Sequence, residues 1–252
     1  MSRIAIVTGA TGGIGQKFIE RINEYDDIDV IWAVGRNSER LKAIAEKYGK
    51  VVPVESDLAK EGIGKITEML QNEKPDVRML INNAGAAYMG LFEKMERDMV
   101  EGICNINCNV PAILIHAVLP YMNSGSRIIN ISSASSFQPN PYLAMYSASK
   151  IFLKNLSRSL NRELKPRGIT VTAVCPGWVD TGMLPREKDG KKINYLGMIA
   201  PDAVVDKALK DSAKGKDMSV PGFFAKYFRF YSKVTPERFV MDQWTAVIRK
   251  HV

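Results

Sequence analysis

Apolar positions along the chain alternate between two rhythms. Short runs rich in β-branched residues occur at Ile4–Val7, Val30–Val34, Val51–Val54, Met79–Ile81, Arg127–Ile131 and Thr170–Val174, each followed by a stretch at helical spacing. Near-continuous apolar runs suit strands covered on both faces, and intervening helices make the strand pairing parallel. The pattern therefore predicts an α/β fold: a doubly wound parallel sheet with helices on both faces. No repeat, low-complexity stretch or linker divides the chain before about residue 180, so residues 1–252 read as a single domain. The rhythm fails over 178–200, where Gly, Pro and charge mix, and this stretch reads as a substrate lid. Pro201-Asp202-Ala203 then opens another helix, and 222–252 reads as a C-terminal helical extension.

With 46% hydrophobic and 25% charged residues among 252, the composition excludes wholesale disorder and collagen-like or coiled-coil architectures. Charge is unevenly placed. Residues 1–150 carry 16 basic and 17 acidic side chains, whereas 151–252 carry 19 and 10. Such asymmetry points to nucleic acid, an anionic membrane surface or an anionic ligand. Nucleic acid has only bulk charge behind it and no recognition motif, so no nucleic-acid partner is expected. Cys104, Cys108 and Cys175 lie in apolar runs, and with only His116 and His251 they build no zinc-ligand spacing, so no metal is expected. The cysteines read as buried reduced thiols of a cytoplasmic protein. No run approaches ~18 uninterrupted apolar residues, and no membrane span is expected. The segment Ile4–Val7 runs straight into Thr8-Gly9 without a cleavage site, which argues against a signal peptide. His116, amid Ile113, Leu114, Val118 and Leu119, reads as a packed helix residue.

The strongest local signal is Thr8-Gly9-Ala10-Thr11-Gly12-Gly13-Ile14-Gly15, between the first strand and a helix. Glycines let backbone N–H groups approach a pyrophosphate, and the helix N-terminus adds partial positive charge. The spacing is Gly-x-x-x-Gly-x-Gly, with Gly9, Gly13 and Gly15 at the fixed places. A carboxylate ending the second strand would bind the ribose of NAD and repel a 2′-phosphate. Here Gly35 takes that place and Arg36 follows, a planar fork suited to phosphate unless it is simply a solvated arginine. NADP(H) is therefore expected over NAD(H), with Thr11 as a further phosphate partner.

Tyr146 and Lys150 stand four apart in Tyr-Ser-Ala-Ser-Lys and share one helix face. A neighbouring ammonium favours the phenolate, moving the tyrosine toward proton exchange with an alcohol or ketone. Such a pair is common on surface helices, but this one has company: Ser133 at a strand end, Asn82-Asn83-Ala84-Gly85, Asn107 in a helix, and Pro176-Gly177-Trp178-Val179-Asp180-Thr181. Most of these fall at the C-terminal ends of strands, where open α/β sheets bind ligands.

In these motifs, from about residue 3 to 181, the sequence resembles the short-chain dehydrogenase/reductase family in its compact, single-domain branch. The resemblance implies a Rossmann-like fold with Tyr146 as catalytic acid/base and Ser133 bonding the substrate oxygen. It implies Lys150 on the nicotinamide ribose, lowering the tyrosine pKa, and Asn107 positioning a water. It implies Asp57 at the adenine, a residue that reads equally well as a helix N-cap. Asn83 and Gly85 would line the adenine ribose and Thr181 would touch the carboxamide. Ile14, Leu58, Ala84, Pro176, Gly177 and Val179 complete the implied cofactor contacts. A small-molecule substrate is implied, with a homodimer or homotetramer formed through helices around 103–122 and 143–164. Intact Ser133, Tyr146, Lys150 and Asn107 argue against a catalytically inactive cofactor-binding regulator, and the chain's length argues against a nucleotide-sugar epimerase.

From Lys216 the sequence lacks the glycine-rich ending of acyl-carrier-protein 3-oxoacyl reductases and looks more like hydroxysteroid dehydrogenases and long-chain 3-oxoacyl-CoA reductases. An apolar ketone such as a steroid is the expected substrate, with a 3-oxoacyl thioester as the alternative. Phe223, Phe224, Tyr227, Phe228, Phe230 and Tyr231 interleave with Lys226, Arg229 and Lys233. That segment lines a substrate entrance, makes peripheral contact with a membrane, or packs its aromatics on the body or a sister subunit; of these, membrane contact is the less expected. Trp178 and Met183 are lid residues that contact substrate or serve as latch packing.

Overall fold

A computed structural model of the chain describes residues 1–182, 184, 187–188 and 191–249. Six strands form where the apolar runs lie: β1 (Arg3–Thr8), β2 (Val30–Gly35), β3 (Val51–Glu55), β4 (Asp76–Asn82), β5 (Arg127–Ile131) and β6 (Thr170–Val174). Only β4 differs by more than a residue or so, starting three residues early, where Asp76 N donates to Ser2 O and polar Asp76 and Arg78 alternate with apolar neighbours. The two-residue strands β7 (Glu187–Lys188) and β8 (Lys191–Lys192) pair with each other inside the lid. A final short strand, β9 (Met218–Ser219), joins β6 and completes a seven-stranded parallel sheet ordered β3-β2-β1-β4-β5-β6-β9.

Helices cover both faces. On one, α1 (Gly13–Asn23), α2 (Ser38–Lys47) and α7 (Pro201–Ala213) bury Phe18, Ile22, Leu41, Val204 and Leu209 against the sheet. On the other, α3 (Gly64–Glu73) and α5 (Val110–Val118) bury Ile66, Leu70, Leu114 and Val118. Strand order reverses between β1 and β4, so the crevice outside their C-terminal ends is where this topology receives ligands. The remaining long helices are α4 (Arg97–Cys104), α6 (Ala144–Glu163), α8 (Phe223–Val234) and α9 (Glu237–Ile248).

Strand β9 lies before the 222–252 extension and no apolar run announces it. Two expectations need correction and a third needs qualification. The stretch Arg97–Tyr121 is continuous helix of 25 residues, long and apolar enough by length and composition to cross a membrane, although its apolar run is interrupted. It packs against β4 and α6, with 44% of its most apolar window buried. His116 is exposed rather than packed, because it sits on the outer face of α5 between buried Ile115 and Val118. Cys175 is buried, but Cys104 and Cys108 are only half-buried free thiols.

β9 is too short to hold itself on the sheet edge, and a buried charge cluster does it. Asp211 of α7, 2% exposed, accepts from Ser219 Oγ (2.8 Å) and pairs with Lys207 and Lys216. Burial pushes the Asp211 carboxyl up, but hydrogen bonds from Lys207, Lys216 and Ser219 outweigh it and hold it at about 2, below the ordinary 3.8. Its folded value lies below the unfolded one, so the stabilisation is present above the ordinary carboxylate range and lost as pH falls through about 2. Asp211→Asn is expected to lower unfolding free energy by about 2 kcal/mol at neutral pH. Urea melts should show the midpoint drop, and the gap from the unmodified protein should close toward the acid end.

Candidate active site

At the switch point β1 runs into a turn that only glycine fits. Gly9 adopts φ +63, and a Cβ there would lie 2.9 Å from Cα and N of Ala84; a Cβ on Gly15 would lie 2.2 Å from Gly9 O. Backbone thus packs directly on backbone. Thr8 fastens the two loops: its Oγ1 accepts from the N–H groups of Asn83 and Ala84 (3.0 Å each) and donates to Ile81 O (3.3 Å). Asn83 answers by donating Nδ2 to Thr8 O (3.1 Å) and Gly9 O (3.0 Å). The side chain expected at a ribose therefore braces the glycine loop.

α1 begins at this loop with Gly12 as its cap, no side-chain capping bond and no acidic residue in the first turn. Its leading N–H groups are available to an anion. A Cβ on Gly13 would sit 3.2 Å from Thr181 Cγ2, so the segment after β6 reaches back to the glycine loop. Thr11 stands beside Gly35, whose added Cβ would be 3.5 Å from Thr11 Cγ2, and Arg36 follows, exposed and without an ion pair among the described residues. Asp57 Oδ1 accepts from Ala59 N (3.2 Å), a turn cap well before α3, while the Leu58 side chain lies in the core and can offer a ligand only its backbone.

The second group gathers beside the first. Ser133 stands two residues beyond the end of β5 and caps a short 3-10 turn, Ala134–Phe137, accepting at Oγ from Ser135 N (3.1 Å). Tyr146 and Lys150 lie one turn apart on α6, with Lys150 Nζ 5.5 Å from the tyrosine ring centroid. Lys150 Nζ donates to Ile131 O (2.8 Å), and Ser132 Oγ donates to Lys150 O (2.8 Å), joining α6 to the end of β5. A Cβ on Gly85 would lie 3.1 Å from Asn107 Oδ1 and 3.3 Å from Lys150 Nζ, so a side chain here would press on both groups. Asn107 sits in a wide π-turn, Asn105–Asn109, a feature frequent at functional sites. Its side chain accepts from Ala86 N and donates to Ala86 O and Ser149 Oγ (2.9 Å each), which uses both amide donors and leaves Oδ1 one acceptor site.

Electrostatics here differ from the sequence expectation. Burial pushes the Tyr146 phenol above its ordinary 10.0, partly offset by the facing Ser133 hydroxyl. Burial pulls Lys150 down to about 8. Without ligand the lysine does not lower the tyrosine; desolvation dominates both groups. The Lys150 ammonium has three N–H donors, and the Ile131 carbonyl is its hydrogen-bond acceptor among the described residues. The uncapped helix N-terminus, the glycine cradle and this buried ammonium suit a dinucleotide with pyrophosphate and ribose hydroxyls, and Arg36 with Thr11 suits an added 2′-phosphate.

Outside α6 a cavity of about 300 Å3 is walled by Leu91, Phe92, Met95 and Met145, with Tyr142 and Arg249 at its polar side. Tyr142 has φ +64, a strained backbone for a non-glycine residue. Gly90 N donates to its carbonyl (2.8 Å) and Arg249 Nε to its hydroxyl (2.9 Å). The lid base is closed by a bridge between Val179 and Ile199, with Ile199 N donating to Trp178 O (3.0 Å). Trp178 packs at a tilt against Tyr195 (4.8 Å) and stacks on Trp244 (6.2 Å), whose Nε1 donates to Pro141 O (2.8 Å), so Trp178 packs the base of the lid. Met183 lies outside the described residues. Pro176 O accepts from Ala134 N (2.7 Å), and Gly177 faces Ala225. Sequence reasoning missed Thr8, Ser149 and Trp244 as positioning residues; Thr8 and Ser149 lie within the recognised motifs, whereas nothing local marks Trp244.

Residues 3–192 match the family model described as short chain dehydrogenase. Human "Inactive hydroxysteroid dehydrogenase-like protein 1" is 34% identical over 192 residues, 72% of this chain and 57% of that protein, so the chain spans little over half of this relative. A short-chain dehydrogenase from Sphingobium yanoikuyae in complex with NADPH superposes with a TM-score of 0.77 at 27% identity, covering 92% of this chain and 93% of that one. The bulky-bulky ketone specific alcohol dehydrogenase from Comamonas testosteroni gives 0.74 at 25% identity, covering 99% and 94%.

The Thr8 hydroxyl carries a direct test. Thr8→Val removes the acceptor of two loop N–H groups while keeping the side chain's shape. It is expected to cost about 2 kcal/mol of stability, visible as a lower denaturation midpoint, and to weaken dinucleotide binding measured by calorimetry.

Proposed function

Because the chain belongs to the short-chain dehydrogenase family, we propose that it is an NADP(H)-dependent oxidoreductase interconverting a secondary alcohol and a bulky apolar ketone. The observation that carries this reading is the convergence of Ser133, Tyr146, Lys150 and Gly85 beside an uncapped helix N-terminus. The bound nicotinamide supplies or takes the hydride. In ketone reduction Tyr146 donates its phenolic proton to the developing alkoxide while Ser133 hydrogen-bonds the same oxygen. Lys150 would hold ribose hydroxyls with its remaining donors, its ammonium 5.5 Å from the tyrosine ring centroid. Asn107 acts as a positioning residue, tying the 86 backbone to Ser149 of α6.

NADP(H) is favoured because Gly35 leaves no carboxylate at the ribose and Arg36 stands with Thr11 beside it; the NADPH complex of the Sphingobium neighbour supports this. A bulky ketone is favoured by the apolar cavity walls and by the Comamonas enzyme's specificity. Excess basic charge after residue 150 keeps a 3-oxoacyl thioester as a second substrate class. Exposed Met99, Ile113 and Phe152 on α4–α6 suit a homodimer or homotetramer, and three free thiols suit the reducing cytoplasm. A second reading, an inactive NADP(H)-binding protein, draws on the name of the human relative.

Tyr146→Phe separates these readings. It is expected to lower kcat for ketone reduction by ~10²–10⁴ while NADPH binding is kept; absence of turnover by the unmodified protein across steroid ketones, 3-oxoacyl thioesters and small aldehydes would favour the inactive reading. Arg36→Ala is expected to raise KM for NADPH about tenfold and leave NADH unchanged, through loss of one charged contact. Equal losses with both cofactors would reject the phosphate assignment.

A further inference from the structure

Helix α8 turns the wrong face to the protein. At 3.6 residues per turn, Phe223, Tyr227, Phe230 and Val234 line one side, with Ala225, Phe228 and Ser232 opposite. It is the small side that packs inward: Ala225 is 3% exposed and belongs to a cluster with Cys175 and Val220, flanked by Ala134 and Phe137. The apolar side faces solvent, with Phe223 77%, Tyr227 51%, Phe230 66% and Val234 63% exposed. A soluble helix ordinarily does the reverse, and a contiguous apolar patch rimmed by charge marks an interaction surface.

The rim is of one sign. Lys226 and Lys233, both exposed, flank the aromatic face, Arg229 lies further round, half-buried on the side of Ala225, and no acidic residue occurs from Met218 to Pro236. None of the three forms an ion pair among the described residues, whereas lysines and arginines of α1 and α7 are paired. That charge pattern decides the occupant. A second copy meeting this face would set the two lysines against their own copies with no carboxylate on the helix to answer them. Anionic lipid headgroups neutralise Lys226 and Lys233, and the aromatic side chains suit the boundary between headgroups and acyl chains.

We propose that α8 docks the protein on an anionic lipid surface, its aromatic face sunk at the headgroup boundary and Lys226 and Lys233 among the headgroups. The helix is not remote from the site. Its inner side packs on the turn that follows Ser133, and the Phe224 ring lies against Gly197 of the lid, where an added Cβ would be 2.2 Å from Phe224 Cδ2. Docking therefore brings the lid close to the bilayer, where a ketone dissolved in lipid would meet it. That last consequence rests on the reductase reading; the docking does not.

Vesicle co-sedimentation of the full chain tests it without turnover, so its failure leaves the enzymatic reading standing. The protein is expected to sediment with phosphatidylcholine vesicles containing phosphatidylserine, less with phosphatidylcholine alone, and less as salt rises. Phe223→Ser with Phe230→Ser, and separately Lys226→Glu with Lys233→Glu, are each expected to weaken binding about tenfold or more. Melting temperature and light-scattering mass should be unchanged, because these side chains are exposed. The proposal is overturned if the unmodified protein ignores both vesicles or if both double variants bind as it does. A lower oligomeric mass in the Phe223/Phe230 variant would also overturn it, by assigning the face to a second copy.

Discussion

Lys150 keeps its ammonium enclosed, 4% exposed, with the Ile131 carbonyl at 2.8 Å as acceptor and no carboxylate in ion-pair reach among the described residues. A buried cation without a counter-charge is costly. Here the cost shows as a drop from 10.5 to about 8, roughly 3 kcal/mol against the charged form. The folded value lies below the unfolded one, so the penalty acts at neutral pH and fades as pH rises through this window. A fold tolerates such a group when a ligand completes its surroundings, and here two further donors stand ready for hydroxyls.

Much of the surrounding architecture serves to hold that charge in place. Ser132 fixes the backbone of Lys150 to the end of β5, and Gly85 leaves room for the ammonium next to Asn107. Thr8 and Asn83 weld the loop carrying Gly85 to the glycine loop, so the phosphate end and the reacting end of the crevice move as one body. Beyond this rigid floor the walls are built from less regular parts: strained Tyr142, the lid base and the Trp178–Trp244 stack. Floor chemistry is common to many substrates, and wall shape is where this chain sets its own preference.

Local pattern made most of the floor legible. Six strands follow from dense β-branched runs, and the glycine, Asn-Asn-Ala-Gly and Tyr-Ser-Ala-Ser-Lys motifs lie next to the elements that aim them. What stayed hidden depends on distant partners. β9 is two residues long and exists because Asp211, Ser219 and β6 hold it. The π-turn at Asn107 has no composition signal. Amphipathic spacing in α8 was plain, but spacing alone does not say which side turns inward, and the inward side is the small one. The same limit applies to Tyr146: its neighbour four residues on suggested a lowered pKa, whereas burial of the whole site raises it.

The central claim is that Lys150 is a buried cation awaiting the ribose of a nicotinamide cofactor. Lysine-selective NMR titration of the protein, free and saturated with NADPH, tests it most directly. The expected result is a resonance that titrates near 8 in the free protein and moves upward when NADPH binds. A lysine that titrates near the ordinary 10.5, or one whose titration NADPH leaves untouched, would contradict the account.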